Sequence, residues 1–255
     1  MTDRIQSLAW EYILNFVSCD GSCDFTLTAD QIKEAGKANK TLKCQFEPRL
    51  LCKQDTFEDR PEIFKKIGLF IIAVENGTYK LIKQNIYQEL AYPNVLSLEI
   101  ERNAKSAVLN IGNSETSVID NLRYSGLFES EEYLDEKILF GPLLNGRHRC
   151  TFETQIGENI YQIRGVQYET DSCYESENKI LLIEGKSGQP DSFNIRQLYF
   201  PYRSIYDAIK GSKEIIPLFI SKDKKDIIHI WKYTFENPLV MTSIKLISYF
   251  RYKFN

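Results

Sequence analysis

The chain has 255 residues, of which 43% are hydrophobic and 26% are charged, and its formal net charge at pH 7 is −3. This length and composition indicate a folded, soluble protein that can bury a full core as one large domain or two small ones. The net charge provides no overall attraction to nucleic acid, but it leaves room for a local basic groove that contacts DNA.

Neither a membrane anchor nor a secretion signal is predicted. The longest uninterrupted apolar run, residues 69–74, is far too short to cross a bilayer. The first ten residues lack the basic region and the apolar core of a signal peptide. We therefore expect a cytoplasmic protein with no membrane partner.

Short helices followed by a hairpin are predicted for the first part of the chain. Residues 5–17 have apolar side chains at helical spacing, and residues 28–36 read as a helix capped by Thr28 and stopped near Gly36. Residues 60–68 read as a helix that opens at a proline and ends at a glycine, and the Asn76-Gly77 pair predicts a hairpin turn. This order favours a winged-helix-like module or, at even odds, a small α+β packing module with no ligand.

A domain boundary is predicted near Tyr92-Pro93-Asn94, which separates residues 1–92 from residues 93–255. Beyond it we expect a strand over residues 95–100 and a helix over residues 114–124. Later elements are a helix over residues 192–211, capped by Asp191 or Ser192 and kinked at Pro201, and two strands, at 215–220 and 227–233. Residues 243–254 fit either an edge strand or a helix.

Several basic side chains are candidates for contacts with DNA. Two of them are four residues apart in a short predicted helix, two lie in a turn before an acidic stretch, and one lies in the helix at 192–211. An exposed basic residue is also commonly a solvated surface charge, and the pattern leaves both interpretations open. These candidates are Arg49, Lys53, Arg147, Arg149 and Arg203.

The cysteines and histidines do not predict a zinc site. The first four cysteines have the spacing C-x3-C-x20-C-x7-C, which does not match paired zinc knuckles. We expect the six cysteines to stay reduced, and we expect Cys150 and Cys173 to be small half-buried residues. The two histidines, His148 and His229, are too few for a histidine-based metal site.

Residues 166–186 form the stretch most informative about chemistry. Alternation along strands places Glu169 and Asp171 on one face, and it places Glu184 and Lys186 on one face of the next strand. A hairpin with its turn at residues 177–178 puts Asp171 opposite Glu184 and Glu169 opposite Lys186, with Cβ atoms about 5 Å apart. Clustered carboxylates repel one another unless a cation neutralises them, so this stretch predicts a divalent metal.

The same stretch resembles the PD-(D/E)xK nuclease superfamily. Asp171 is followed, after residues 172–183, by Glu184-Gly185-Lys186, which matches the form D-x(n)-E-x-K. The strings GVQYETD, LLIEGKSG and FNIRQLYFPYR, with GRHR, EPRLL and RPEIFKKIGL upstream, resemble a group of bacterial type II restriction endonucleases. Thr170 stands where a proline often precedes the first acidic residue.

The resemblance implies an α/β (α+β) fold, with a restriction-endonuclease-like mixed central sheet flanked by helices. A winged-helix-like DNA-recognition module would occupy residues 1–92, and the catalytic domain would occupy residues 93–255. The implied activity is Mg²⁺-dependent, sequence-specific hydrolysis of double-stranded DNA in a bacterial cytoplasm. Cutters of this kind act as homodimers or as single chains, and both states remain open.

The resemblance also assigns roles to single residues. Asp171 and Glu184 would hold Mg²⁺ together with the carbonyl group of Gly185, and Lys186 would lie beside the attacking water. Glu169 would either support this cluster or bind a second metal, and its proposed position opposite Lys186 favours the supporting role. Arg196 and Gln197 would support Lys186 or contact the backbone phosphate.

Other interpretations compete with the nuclease. A non-enzymatic winged-helix regulator would use only the N-terminal module, and a repair or recombination nuclease would share the same core. For Glu184 and Lys186, the structural alternative is a salt bridge at a strand end.

Overall fold

The computed structural model of the chain describes residues 2–21, 24–42, 46–101, 106, 108–109 and 114–255. The chain divides into two compact units, each built from several segments. The first unit comprises Met1–Glu89, Thr151–Val166 and Asp191–Asn194. The second comprises Leu90–Cys150, Gln167–Pro190 and Ile195–Asn255.

The described part of the chain contains both helices and strands. The helices are α1 (Thr2–Phe16), α2 (Ala29–Ala38), α3 (Pro48–Leu51), α4 (Glu62–Ile67), α5 (Glu115–Tyr124) and α6 (Arg196–Ile209). The strands are β1 (Phe25–Thr28), β2 (Phe70–Glu75), β3 (Thr78–Ile82), β4 (Tyr87–Glu89), β5 (Leu98–Ile100), β6 (Gly146–Ile156), β7 (Asn159–Thr170), β8 (Ser172–Glu175), β9 (Lys179–Ser187), β10 (Ser192–Asn194), β11 (Glu214–Lys222), β12 (Ile228–Phe235) and β13 (Ile244–Phe254).

The first unit packs its helices against a sheet of strand order β1-β3-β2-β7-β6, to which β6 and β7 contribute residues 151–156 and 159–166. Its core is apolar and includes Trp10 and Phe64, whose ring centroids are 4.7 Å apart. Strand β4 pairs antiparallel with β10 in a separate two-stranded ribbon. These contacts make one core from chain segments that are far apart in sequence.

Local sequence signals explain most elements of the first unit. Thr28 accepts a hydrogen bond from the Gln31 backbone amide and completes a capping box, as expected for the start of α2. The predicted hairpin is confirmed, since β2 and β3 flank the turn at residues 76–77. The predicted end of α2 near Gly36 is wrong, because the helix continues to Ala38. Gly36 instead makes room for Phe46, whose Cβ would lie 2.5 Å from an added Cβ.

The second unit contains a mixed sheet of strand order β5-β13-β12-β11-β9-β8. Strand β11 is parallel to β9, and β5 is parallel to β13, while the other pairs are antiparallel. Helix α5 packs its buried residues Val118, Ile119 and Leu122 against one face of this sheet. On the other face, Tyr199 and Tyr202 of α6 contact the ring of Phe235. This mixed α/β architecture agrees with the predicted fold class at that level.

In the second half of the chain, the structure corrects the predicted start of one helix and determines the conformation of the C-terminal segment. The helix predicted over residues 192–211 begins only at Arg196, because residues 192–194 form β10. It passes through Pro201 and ends at Lys210, which has a positive φ of 52°. Residues 244–254, which fitted a strand or a helix, form β13 and pair along β12.

The leading segment of the first unit ends at Glu89, close to the predicted boundary, and two later segments of the chain join it. The roles assigned to residues 1–92 and 93–255 remain predictions. In the described ranges, none of the helices has the length and apolar character needed to span a membrane.

Candidate active site

The β8–β9 hairpin fixes the neighbourhood of the acidic residues. Its register pairs Ser172 with Ile183 and Glu175 with Ile180, and the turn falls at residues 177–178, as predicted. Extending this register by one residue places Asp171 opposite Glu184. The turn forms where the polar run ESEN interrupts two apolar segments, so the sequence itself sets the pairing.

Asp171 is attached to strand β9 by a backbone hydrogen bond. The Gly185 amide donates to Asp171 Oδ2 at 2.7 Å. A Cβ at Gly185 would lie 3.5 Å from that oxygen, 3.4 Å from the Glu115 Cβ and 3.3 Å from the Ile119 Cδ1. The glycine therefore lets a carboxylate and a helix approach the same point of the strand.

Glu184 is buried, with 7% of its surface exposed, and its Oε1 accepts two hydrogen bonds. Lys186 Nζ donates to it at 2.8 Å, and Gln197 Nε2 donates to it at 2.7 Å. The side chains of Glu184 and Lys186 thus both point to the face of the sheet that α6 covers. Gln197 was predicted to support Lys186, and the structure places it on Glu184.

Glu115 is a further acidic residue at this site, and sequence reasoning did not select it. It begins α5, and its Oε1 accepts a hydrogen bond from the Ser187 backbone amide at 2.8 Å. The sequence showed only an acidic residue after the Ser114 N-cap, which is an ordinary helix start. Its approach to β9 depends on tertiary packing across 72 positions of sequence.

The pKa values of Asp171 and Lys186 reflect the other charges close to them. Burial raises the pKa of Asp171 above its usual value, and the nearby carboxylates of Glu115 and Glu169 raise it further, against the opposing effects of the Gly185 amide and Lys186. Burial alone would lower the pKa of Lys186, but Glu184, Asp171 and Glu115 outweigh it and raise that pKa. The site therefore carries more carboxylates than ammonium groups.

The donor set is chemically suited to Mg²⁺. Asp171, Glu184 and the Gly185 carbonyl are hard oxygen ligands, the type that Mg²⁺ prefers. Among the residues that the structure describes, no group of three or more His, Cys, Asp or Glu side chains is arranged to hold a metal ion. The metal site thus remains a prediction based on two carboxylates and a carbonyl group.

The predicted supporting residues lie in different surroundings. Arg147 donates to Glu169 at 2.9 Å, and both side chains are more than half exposed. Glu169 is therefore paired with Arg147, whereas the register inferred from sequence had placed Lys186 opposite it. Arg149 lies on the same exposed face of β6 as Arg147, and Arg196 begins α6 in a half-buried position.

The other basic residues predicted to contact DNA differ in how exposed they are. Arg203 is 8% exposed, and its Nε donates to Asp207 at 2.9 Å within α6, which leaves its predicted DNA contact without support. In the first unit, Arg49 is exposed on α3, and Lys53 lies 3.3 Å from a carboxylate oxygen of Asp55.

The cysteines and histidines have structural surroundings. Cys19, Cys52, Cys150 and Cys173 do not form disulfides, while Cys23 and Cys44 lie outside the described residues. The ring of His148 lies 5.7 Å from that of Tyr168, and His229 is buried in β12.

The fold and the site together define a mixed α/β protein with a partly buried cluster of acids and a lysine at strand ends. Residues 67–253 match the family model described as domain of unknown function (DUF6997), and the chain belongs to that family. Residues 7–81 also match the model described as domain of unknown function (DUF6996). Comparison with curated proteins and with solved structures gave no match.

Proposed function

We propose that the chain is a type II restriction endonuclease that hydrolyses phosphodiester bonds of double-stranded DNA at a specific sequence and requires Mg²⁺. The observation that carries this proposal is the arrangement around Gly185. Its amide holds Asp171, and the residues on either side of it are Glu184 and Lys186, joined at 2.8 Å. The motif found in sequence thus becomes a single cluster in space.

The architecture of each unit supports the same proposal. In the second unit, the β8–β9 hairpin is followed by α6 and then by β11, which is parallel to β9 in a sheet covered on both faces. This is the order that the resemblance to PD-(D/E)xK nucleases implies. In the first unit, the antiparallel strand order β1-β3-β2 with preceding helices supports a winged-helix-like module that contacts DNA.

Two carboxylates and one carbonyl group would hold the metal ion in this proposal. Asp171, Glu184 and Gly185 provide these oxygens, and bound Mg²⁺ supplies polarisation of the phosphate and a lower pKa for a coordinated water. Gln197 fixes the orientation of the Glu184 carboxylate through its 2.7 Å hydrogen bond. Residues that orient ligands in this way commonly affect metal affinity and activity.

Lys186 has the chemistry to orient water and to bind the phosphate. Its ammonium group carries three donors, one of which is directed to Glu184 at 2.8 Å. The remaining donors can hold an attacking water and stabilise negative charge that develops on the phosphate oxygens. Glu115 and Glu169 contribute negative charge around Asp171, which strengthens the preference for a cation.

The test is cleavage of plasmid and phage DNA in the presence and absence of Mg²⁺. We expect discrete fragments from the wild type, which disappear when the metal is chelated and in Lys186→Ala. The matched control is Lys179→Ala, which removes a lysine from the other end of β9 and should leave cleavage unchanged. Absence of cleavage with any divalent metal would exclude the nuclease.

Two alternatives are separated by the same experiment. A winged-helix regulator, which the β1-β3-β2 order also supports, would retard DNA without cutting it. A repair or recombination nuclease would cut, but its fragments would lack one fixed terminal sequence. Sequencing the fragment ends therefore identifies the recognition site, the cut position and the symmetry, and the symmetry indicates whether a homodimer or a single chain acts.

A further inference from the structure

A small cavity of about 210 Å³ opens in the second unit beside the acidic cluster. Its walls are the beginning of α5, the carboxyl ends of β9 and β11, and the turn after β11. The carboxyl ends of parallel strands are the usual place for ligands in α/β sheets. Gly185 and Lys186 line the cavity, so it is continuous with the candidate active site.

The wall of this cavity contains three lysines, Lys186, Lys222 and Lys224, and three acidic residues, Glu115, Asp223 and Asp226. Lys222 Nζ lies 2.8 Å from Asp226 Oδ1, and the Asp226 carboxylate is itself part of the wall. Lys224 is exposed at the tip of the turn. The Lys222 ammonium group therefore already pairs with an oxyanion at the cavity wall.

The turn that carries these lysines is rigidly built. Buried Asp223 accepts hydrogen bonds through Oδ1 from the Lys225 amide at 2.8 Å and from the Ile227 amide at 2.9 Å. Its other oxygen lies 3.4 Å from His229 Nε2. Asp223 thereby fixes the backbone on both sides of Lys224, so the cationic side chains start from a defined position.

We propose that this cavity binds the phosphate that neighbours the scissile phosphate on the same DNA strand, with Lys222 and Lys224 as positioning residues. This inference rests on the proposed nuclease function. The cavity is smaller than the pocket of a drug-sized ligand, which takes about 300–1,000 Å³, but it has room for a phosphate group. Lysine is a common phosphate ligand, and phosphate contacts set the register of a protein on its duplex.

A phosphate in this cavity competes with Asp226 for Lys222. The ion pair of Lys222 and Asp226 would open on DNA binding, and the DNA oxyanion would replace the carboxylate. Removing the negative charge at Asp226 therefore favours the DNA complex. Asp226 has a positive φ of 62°, a conformation that asparagine also adopts readily, so Asp226→Asn keeps the turn intact.

The test compares two neighbouring lysines of one turn, of which only Lys224 lines the cavity. The probe is a short duplex that contains the site found by sequencing fragment ends, and its binding is measured without metal at several salt concentrations. For Lys224→Ala we expect severalfold weaker binding and a salt slope smaller by about 0.9, the value for one lost phosphate contact. Lys225→Ala removes the same charge and should leave the affinity and the salt slope unchanged. Asp226→Asn should bind the duplex more tightly than the wild type.

A chemical double-mutant cycle locates the contact on the DNA. Replacing the neighbouring phosphate by an uncharged methylphosphonate should weaken binding by the wild type and by Lys225→Ala. It should have little further effect on Lys224→Ala, because the two changes remove the same contact.

Failure of this inference can be distinguished from failure of the proposed function. If the wild type cuts DNA but Lys224→Ala and Lys225→Ala show equal affinities and salt slopes, the cavity is not a phosphate site and the nuclease proposal stands. If the wild type neither binds nor cuts DNA, both are overturned. Equal thermal midpoints of the variants serve as the folding control.

Discussion

Gln197 shows how far the candidate site depends on a side chain outside the acidic motif. It donates to Glu184 Oε1 at 2.7 Å, while its own Oε1 is buried without a partner in the described structure. The hydrogen bond orients a proposed metal ligand, whereas the unpaired acceptor has a cost for stability. The amide is therefore better explained by activity than by stability.

Replacing Gln197 by leucine should separate these two effects. Gln197→Leu removes the donor to Glu184, and residues in such supporting positions typically change activity about 10–100-fold. It also removes the unpaired buried acceptor, so we expect little change in the thermal midpoint. Rates of DNA cleavage and thermal unfolding provide the two measurements. A wild-type cleavage rate would contradict a role of Gln197 in orienting Glu184.

His229 makes the stability of the second unit depend on pH. Its Nδ1 lies 2.7 Å from the Tyr249 hydroxyl, and its Nε2 lies 3.4 Å from Asp223 Oδ2. Burial lowers the pKa of His229 below its usual 6.5, although Asp223 opposes this effect. Between the two pKa values the unfolded chain binds more protons than the folded one, so stability falls as the pH drops through about 6.5.

The pH effect can be assigned by substitution. We expect the free energy of unfolding to fall between about pH 7.5 and pH 5.5 in the wild type and to fall less in His229→Gln. Asp223, whose pKa is lowered, loses its contribution only at more acidic pH and does not interfere. Urea unfolding at a series of pH values measures the difference. Equal slopes for the two proteins would show that another group titrates.

At the scale of elements, the β8–β9 hairpin sets the spacing of the candidate site. Its turn is held from outside, because the Asn178 backbone amide and side chain donate to the Glu136 carboxylate at 2.9 and 3.0 Å. Hydrogen bonds from Ser176 and Asn178 lower the pKa of Glu136 to about 2. The Glu136 carboxylate stabilises the folded state at pH values above its pKa in the unfolded chain. This contribution is lost as the pH falls through about 2.

Loss of this contact should loosen the hairpin and thereby the site. We expect Glu136→Ala to lower the thermal midpoint and to slow DNA cleavage, because the turn that fixes the register of Asp171 and Glu184 loses its external support. The control is Glu177→Ala, which removes an exposed carboxylate from the same turn and should be neutral. If the two variants behave alike, the contact of Glu136 does not determine the register.

The hairpin was predictable because its determinants are local. The ESEN run between two apolar segments sets both the turn and the pairing, and the N-caps Thr28 and Ser114 mark the starts of α2 and α5. The start of α6 was not predictable in this way. Residues 192–194 pair with β4, about a hundred positions earlier in the chain, and this pairing prevents them from joining the helix.

Tertiary packing also explains which residues of the site the sequence did not predict. The acids and the lysine of residues 171–186 share two adjoining strands, so alternation brings them together. Glu115 reaches the same place only because α5 packs on β9, and Lys224 reaches the cavity only because β11 is parallel to β9. For Arg203, the helical pattern did not predict its burial.

At the scale of the whole molecule, the first unit depends on segments far along the chain. The Phe57 amide donates to Ser192 Oγ at 2.8 Å, and the Asn194 amide donates to the Asp55 carbonyl at 2.8 Å. Glu75 of β2 pairs with Arg164 of β7. Residues 1–92 alone therefore lack partners for β4, for one side of β2 and for the segment at 55–57.

The isolated fragment 1–92 should consequently be less stable than the same residues in the full chain. Without Ser192, the part-buried Phe57 amide loses its acceptor, a loss that costs up to about 1–3 kcal/mol unless water replaces it. Amide hydrogen exchange of β2 and β4 in the fragment and in the full chain measures the effect, and we expect faster exchange in the fragment. Ser192→Ala in the full chain tests one contact alone and should accelerate exchange at Phe57 more than at the Thr28 cap. A fragment with the same protection as the full chain would mean that residues 1–92 form an independent domain, as the sequence pattern indicates.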